Sequence, residues 1–176
     1  MSRMVRMDAS KKIVIAMIGL GACARLVPHP WNFTPILAIG LYSGVQAAKL
    51  RTGVVATLLA LLLSDLIMGL YGGMWYVYAA WLVPVLIGRL VRRRPGVTAL
   101  AAGALAASLS FFVTTNFMVW ATGHLYARTA PGLVACFAAA LPFYQNQFLG
   151  DAFYTALLFG GHALLQRLAR PKVLAA

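Results

Sequence analysis

LPFYQNQFLGDAFYTALLFGG, residues 141–161, is the stretch on which the reading of the chain turns. It is long and apolar enough to cross a bilayer, which takes a helix of ~20 residues, yet Gln145, Asn146, Gln147 and Asp151 interrupt it. Tyr144, Gln147, Asp151 and Tyr154 follow one another at intervals of three, four and three residues, which sets them on one stripe of a helix. A carboxylate in a lipid-spanning helix is costly and normally faces the bundle interior, where it pairs or has a task. The stretch therefore reads as a membrane helix with one polar stripe turned inward.

The rest of the 176 residues suit the same solvent. Hydrophobic residues make up 62% of the chain and charged residues 10%, with a mean hydropathy of +0.83. That is too little charge to clothe a water-soluble surface. The net charge of +12 would suit a nucleic-acid partner, but the basic residues flank apolar segments, as the positive-inside rule requires. The lipid bilayer is the expected partner, and nucleic acid is not. Cys23 and Cys136 have no CxxC-type spacing and read as isolated, small, buried residues rather than metal ligands.

One integral membrane domain over residues 1–176 is expected, all-α and polytopic, with six transmembrane helices at about 13–27, 35–48, 52–70, 75–90, 96–122 and 145–168. The apolar stretch 131–141 is too short to span and reads as a separate interfacial or re-entrant helix. Leu20-Gly21-Ala22-Cys23 looks like a lipoprotein processing box, but small residues there equally suit a retained first helix, which is the expectation. Three prolines in LVPHPWNFTP, residues 26–35, forbid a regular helix, and Pro84 predicts a kink within 75–90. Ala99, Gly103 and Ala107 form a small-residue face for close helix packing.

Six crossings put both termini on one side. That side and its loops hold Arg3, Arg6, Lys11, Lys12, Lys49, Arg51, Arg89, Arg92, Arg93, Arg94, Arg167, Arg170 and Lys172, against Arg25 and Arg128 opposite. The asymmetry predicts cytoplasmic termini in a bacterial inner membrane.

With that orientation the unusual polar residues gather toward the outer half. The candidate ligand-binding set is Asp65, Asn116, Asp151, Arg25, His29, Asn32, Tyr144, Gln147, Tyr154 and Trp120. Convergent polar groups among aromatics suit a small, flat, partly polar ligand in a pocket open to the outside. The competing reading has Asp65 and Asp151 pairing with Arg25, Arg128 or hydroxyls to lock the bundle, with the aromatics as an interfacial belt. His29 and His124 lack metal-ligand spacing, so neither a metal nor a cofactor is expected. There is no GxSxG, HExxH or nucleotide-binding loop, so neither catalysis nor self-powered ATP-driven transport is expected.

Several of these segments carry a resemblance. Leu26-Val27-Pro28-His29-Pro30-Trp31-Asn32-Phe33-Thr34-Pro35, Leu62-Leu63-Ser64-Asp65, the run from Phe111 to Trp120, and Pro142-Phe143 through Asn146, Leu149-Gly150-Asp151 and Tyr154-Thr155 look like a bacterial family of membrane proteins labelled as candidate transport proteins. That family is similar in architecture to the substrate-binding S components of energy-coupling-factor vitamin transporters. The resemblance implies six helices, cytoplasmic termini, an outward pocket for a vitamin-like micronutrient, and an energising ATPase and transmembrane module as partner. S components commonly dock through an AxxxA face on the first helix, where this chain has only Gly19 and Cys23 four apart. The alternative function is a structural or accessory subunit of a larger membrane complex, docked through the small-residue face around Gly103.

Overall fold

A computed structural model describes residues 16, 19–20 and 23–168. Among them there is no strand, and six helices follow in order: α1 Ile36–Gln46, α2 Leu50–Met68, α3 Met74–Ala80, α4 Leu82–Val91, α5 Val97–Thr122 and α6 Ala130–Leu168. Of the first predicted crossing, 13–27, residues 16, 19–20 and 23–27 are described, and 16, 19–20 and 23–26 are helical; the rest lies outside the described residues. Cys136 is buried as expected, whereas Cys23 is exposed.

The core is α1. Every residue from Ile36 to Gly44 is buried, and the helix touches α2, α4, α5 and α6. At ~1.5 Å per residue its 11 residues reach only about 16 Å, well short of a ~30 Å hydrocarbon layer. It is a post at the centre of the bundle rather than a lipid-facing span. Pro35 fixes where it starts, because the prolines before it cannot continue a helical ladder. Its contact with α4 is as close as backbone allows: a Cβ on Gly44 would collide with the Val85 carbonyl oxygen, and one on Gly88 with that of Leu41. At its C-terminal end, Arg89 donates to the carbonyls of Ala47 at 3.0 Å and Ala48 at 3.1 Å, and Arg92 donates to that of Ala47 at 2.6 Å. Two arginines that the sequence offers as topology signals thus also satisfy carbonyls beyond the last turn of the central helix.

The helices around this post are apolar on the outside. Leu62, Leu63, Leu66 and Ile67 on α2 are exposed, as are Leu105, Leu109, Val113 and Phe117 on α5 and Leu149, Phe153, Leu157 and Leu164 on α6. Outward-facing apolar stripes of this length are solvated by lipid tails, not water. Four units are long and apolar enough to cross a membrane: α2, the α3–α4 pair over Met74–Val91, α5 and α6. The protein is an all-α polytopic membrane protein.

Two expectations about helix boundaries need adjusting. The kink expected at Pro84 falls at Trp81, where α3 gives way to α4. Proline has no N–H for the carbonyl four residues earlier and crowds it, so the ladder breaks on its N-terminal side. The separate helix at 131–141 does not exist: residues 130–168 form one helix of 39 residues with Pro142 inside it. Losing one ladder bond at Pro142 is tolerated because both flanks continue a single inward stripe through buried Cys136, Gln147, Asp151 and Thr155. At ~1.5 Å per residue α6 is about 58 Å long, so it outreaches the hydrocarbon layer and its excess lies beyond it.

The small-residue face of α5 is used within the chain. Ala107 is fully buried, and a Cβ on Gly103 would lie 2.7 Å from Val91 Cγ2.

Candidate functional site

Between the helices, beside the 27–35 loop, lies a cavity of about 330 Å³. That falls at the lower end of the range for small-molecule sites, ~300–1,000 Å³. Three features of the local fold build it. The first is the 27–35 loop. Phe33 N–H donates to the Pro30 carbonyl at 3.0 Å, and Asn32 sits in this turn at φ 64. That left-handed conformation is one Asn adopts more readily than other residues with a Cβ. The turn is pinned on α6: Phe33 packs on Phe153 and Tyr154 with ring centroids 5.9 and 5.6 Å away, and Trp31 on Phe143 at 5.9 Å. Gly150 permits the approach, since a Cβ there would come within 3.0 Å of Phe33 Cα.

The second is the aromatic lining. Trp81, at the α3–α4 break, packs on Phe111 of α5 at 4.4 Å, and Phe112 packs on Tyr144 of α6 at 4.6 Å. All four line the cavity. The third is the polar wall, Thr115 and Asn116 on α5 with Gln147 and Asp151 on α6.

The hydrogen bonds of that wall have a consistent sense. Thr115 Oγ1 donates to the Phe111 carbonyl at 2.8 Å, and Asn116 Nδ2 to the Phe112 carbonyl at 2.7 Å. Gln147 Nε2 donates to Ser108, to its carbonyl at 3.0 Å and its Oγ at 3.2 Å. Asp151 is 3% exposed, and its Oδ2 has no hydrogen-bond partner among the described residues; Thr155 Oγ1, one turn below, also has none. A buried acceptor without a donor costs about 1–3 kcal/mol.

Asp65 is treated differently. Its Oδ1 pairs with Arg25 Nη1 at 2.8 Å, its Oδ2 accepts from Tyr78 OH at 2.8 Å, and Arg25 also donates to Ser64 Oγ at 2.7 Å. Arg25 therefore joins the first segment to α2, and it does so while lining the cavity. Nearby, burial and then the Asp65 carboxylate push the Tyr71 phenol above its ordinary value, so it stays a neutral hydroxyl at the rim.

The cavity brings together six of the ten sequence candidates: Arg25, Asn32, Asn116, Tyr144, Gln147 and Asp151. The other four lie elsewhere. Asp65 is locked in its ion pair. His29 Nδ1 lies 2.7 Å from the Val27 carbonyl oxygen at an exposed position. Trp120 Nε1 donates to the Ala127 carbonyl at 2.9 Å, tying the end of α5 to the loop after it. Tyr154 braces Phe33. Neither arginine pairs with Asp151: Arg25 faces Asp65, and Arg128 is exposed. Thr34, Tyr71, Trp81, Phe111, Phe112 and Thr115 also line the cavity, though none is in the candidate set. Helical phase from Asn116 would have found Phe112, one turn away on the same face. No local signal marks Trp81, which only the break in its helix brings to the wall. Among the described residues no group of three or more His, Cys, Asp or Glu could hold a metal ion.

The fold and cavity together define a class: a polytopic helical membrane protein with a polar, aromatic-walled chamber between its helices. Residues 7–173 match the model of a family described as a family of unknown function (DUF6580). The chain belongs to that family. No curated protein and no solved structure matches the chain.

Proposed function

We propose that this is a solute-binding membrane protein of the S-component type, which captures a small micronutrient from the outer side of the bacterial inner membrane with both termini in the cytoplasm. The observation that carries the reading is Asp151. A carboxylate so deeply buried in a membrane helix, lacking a cation or donor for Oδ2, is an arrangement that a bundle held together only by packing has no reason to keep. It lines a chamber of ligand size with Asn116, Gln147 and six aromatic rings. The resemblance to S components and the excess of basic residues at the opposite end support the orientation. The chain has no nucleotide-binding loop, so uptake against a gradient needs an energising partner.

The accessory-subunit alternative rested on the small-residue face of α5. Gly103 and Ala107 are buried inside this chain, so no specific observation now favours it.

The test fills the chamber. Ala140 lines the cavity, and Ala140→Trp would occupy much of it. Small molecules extracted from the purified wild-type protein and from this variant are compared by mass spectrometry. A compound retained by the wild type near one per chain and lost from the variant is expected. A wild type that retains nothing, or a variant that retains the same compound equally, removes the reading.

A further inference from the structure

The hydrogen-bond sense of the polar wall says more than that a solute binds. Asn116 and Gln147 both turn amide N–H groups onto backbone carbonyls of α5, and Thr115 does the same with its hydroxyl hydrogen. What these side chains have left to offer a ligand is mostly oxygen, the two amide carbonyls and the hydroxyl lone pairs, with one Asn116 N–H still unused. Asp151 adds a carboxylate oxygen without a donor. The wall between α5 and α6 is therefore richer in acceptors than in donors.

Charge points the same way. Arg25 is the one cation in the lining, and Asp65 neutralises it at 2.8 Å. Asp151 is then the one carboxyl group in the lining, and among the described residues no cation pairs with it. An anionic solute would meet that carboxylate and a wall of oxygens, with no free cation to offset them. A neutral acceptor-rich solute would leave the wall unsatisfied. A hard divalent ion wants six or more oxygens, typically including several carboxylates; this lining has one, and the aromatic rings offer such an ion little. A cationic nitrogen on a ring suits the α5–α6 wall and the aromatic lining together. Its N–H groups donate to Asp151, Asn116 and Gln147, and its ring and charge lie against Trp81, Phe112 and Tyr144.

We infer that the cavity selects a small organic cation, a protonated amine or amidinium attached to a flat ring, with Asp151 as its counter-ion. The inference rests on the solute-binding reading above and narrows it to one charge class.

The test uses three ring compounds of one shape and different charge, benzamidinium, benzamide and benzoate, titrated calorimetrically into the full-length protein in micelles. Benzamidinium should bind about tenfold more tightly than benzamide, the value of one charge-assisted hydrogen bond, and benzoate should not bind. Asp151→Asn should abolish that preference while keeping benzamide binding. The ranking on the wild-type protein decides the matter even if this variant fails to fold. The inference is overturned if benzamide or benzoate binds within threefold of benzamidinium, if Asp151→Asn leaves the preference intact, or if benzamidinium does not bind at all. None of those results touches the solute-binding reading, which stands or falls on the compound retained by the wild type and lost from Ala140→Trp. A retained compound that is neutral or anionic at neutral pH overturns the inference and leaves the broader reading in place.

Discussion

Replacing Arg25 with glutamine should loosen the bundle more than any other single polar substitution around the cavity. Asp65 is 1% exposed and is held by two donors, Arg25 Nη1 and Tyr78 OH, each at 2.8 Å. At 2.8 Å and an effective dielectric constant of ~20, the gross attraction of the pair is about 6 kcal/mol. Desolvation offsets much of that in the intact protein. Removing Arg25 alone leaves the desolvation of Asp65 in place without its compensation, so the loss should be about 3–5 kcal/mol. Tyr78→Phe removes one hydrogen bond to a carboxylate and leaves the arginine, for a loss of about 1.5–3 kcal/mol. The double substitution Arg25→Gln with Asp65→Asn removes both charges and should cost less than the sum of its parts, with a coupling of at least ~1 kcal/mol. Thermal unfolding in lipid nanodiscs reads this directly. With ~2–4 °C per kcal/mol for a chain of this size, Arg25→Gln should lower the midpoint by about 6–20 °C. Additive single and double effects, or an Arg25→Gln midpoint within 2 °C of wild type, would refute the claim that this pair ties the first segment to α2.

Asp151→Asn should behave in the opposite sense. With no partner to lose at Oδ2, the ligand-free variant should be as stable as wild type or more stable by up to ~1–3 kcal/mol, while ligand retention falls; the same nanodisc melts, run with and without the retained compound, check it. Gly44→Ala places a methyl group against the Val85 carbonyl oxygen and should destabilise the bundle by about 1–3 kcal/mol, visible as lost monodispersity on gentle heating. Arg89→Ala combined with Arg92→Ala uncovers the Ala47 and Ala48 carbonyls and should lower stability by at least ~1.5 kcal/mol, which an Arg89→Lys, Arg92→Lys control should partly restore. Cysteines placed at Arg94 and Leu125 in a background free of Cys23 and Cys136 should react with an impermeant thiol reagent from opposite sides of the membrane, Leu125→Cys from outside.

The solvent was legible in composition alone, and the turns with it. Prolines at 28, 30 and 35 marked where no helix could run, and α2 and α5 fall within a residue or two of their expected bounds. Those signals are local: a run of apolar residues and a breaker at its end. The stripe on α6 was equally legible, because Tyr144, Gln147 and Asp151 repeat with the helical period and do line one chamber. What failed was the inference from length. Eleven apolar residues at 131–141 are too short to span a bilayer, but they need not do so when the next helix simply extends through Pro142. The two acidic residues also could not be told apart from the sequence. Both are lone carboxylates in apolar helical stretches with aromatics nearby. Their difference comes from Arg25 and Tyr78, which lie 40 residues earlier and 13 later than Asp65 and meet it only in the folded bundle. The acceptor character of the cavity wall was out of reach for the same reason, since it depends on which way each amide turns.

The most direct test of the solute-binding account is an experimental structure of the protein as purified from its native membrane. The account predicts non-protein density in the chamber, within hydrogen-bonding distance of Asp151, Asn116 and Gln147 and flat against Trp81 or Tyr144. A chamber closed by its own side chains, or occupied only by a lipid tail that leaves Asp151 untouched, would contradict it.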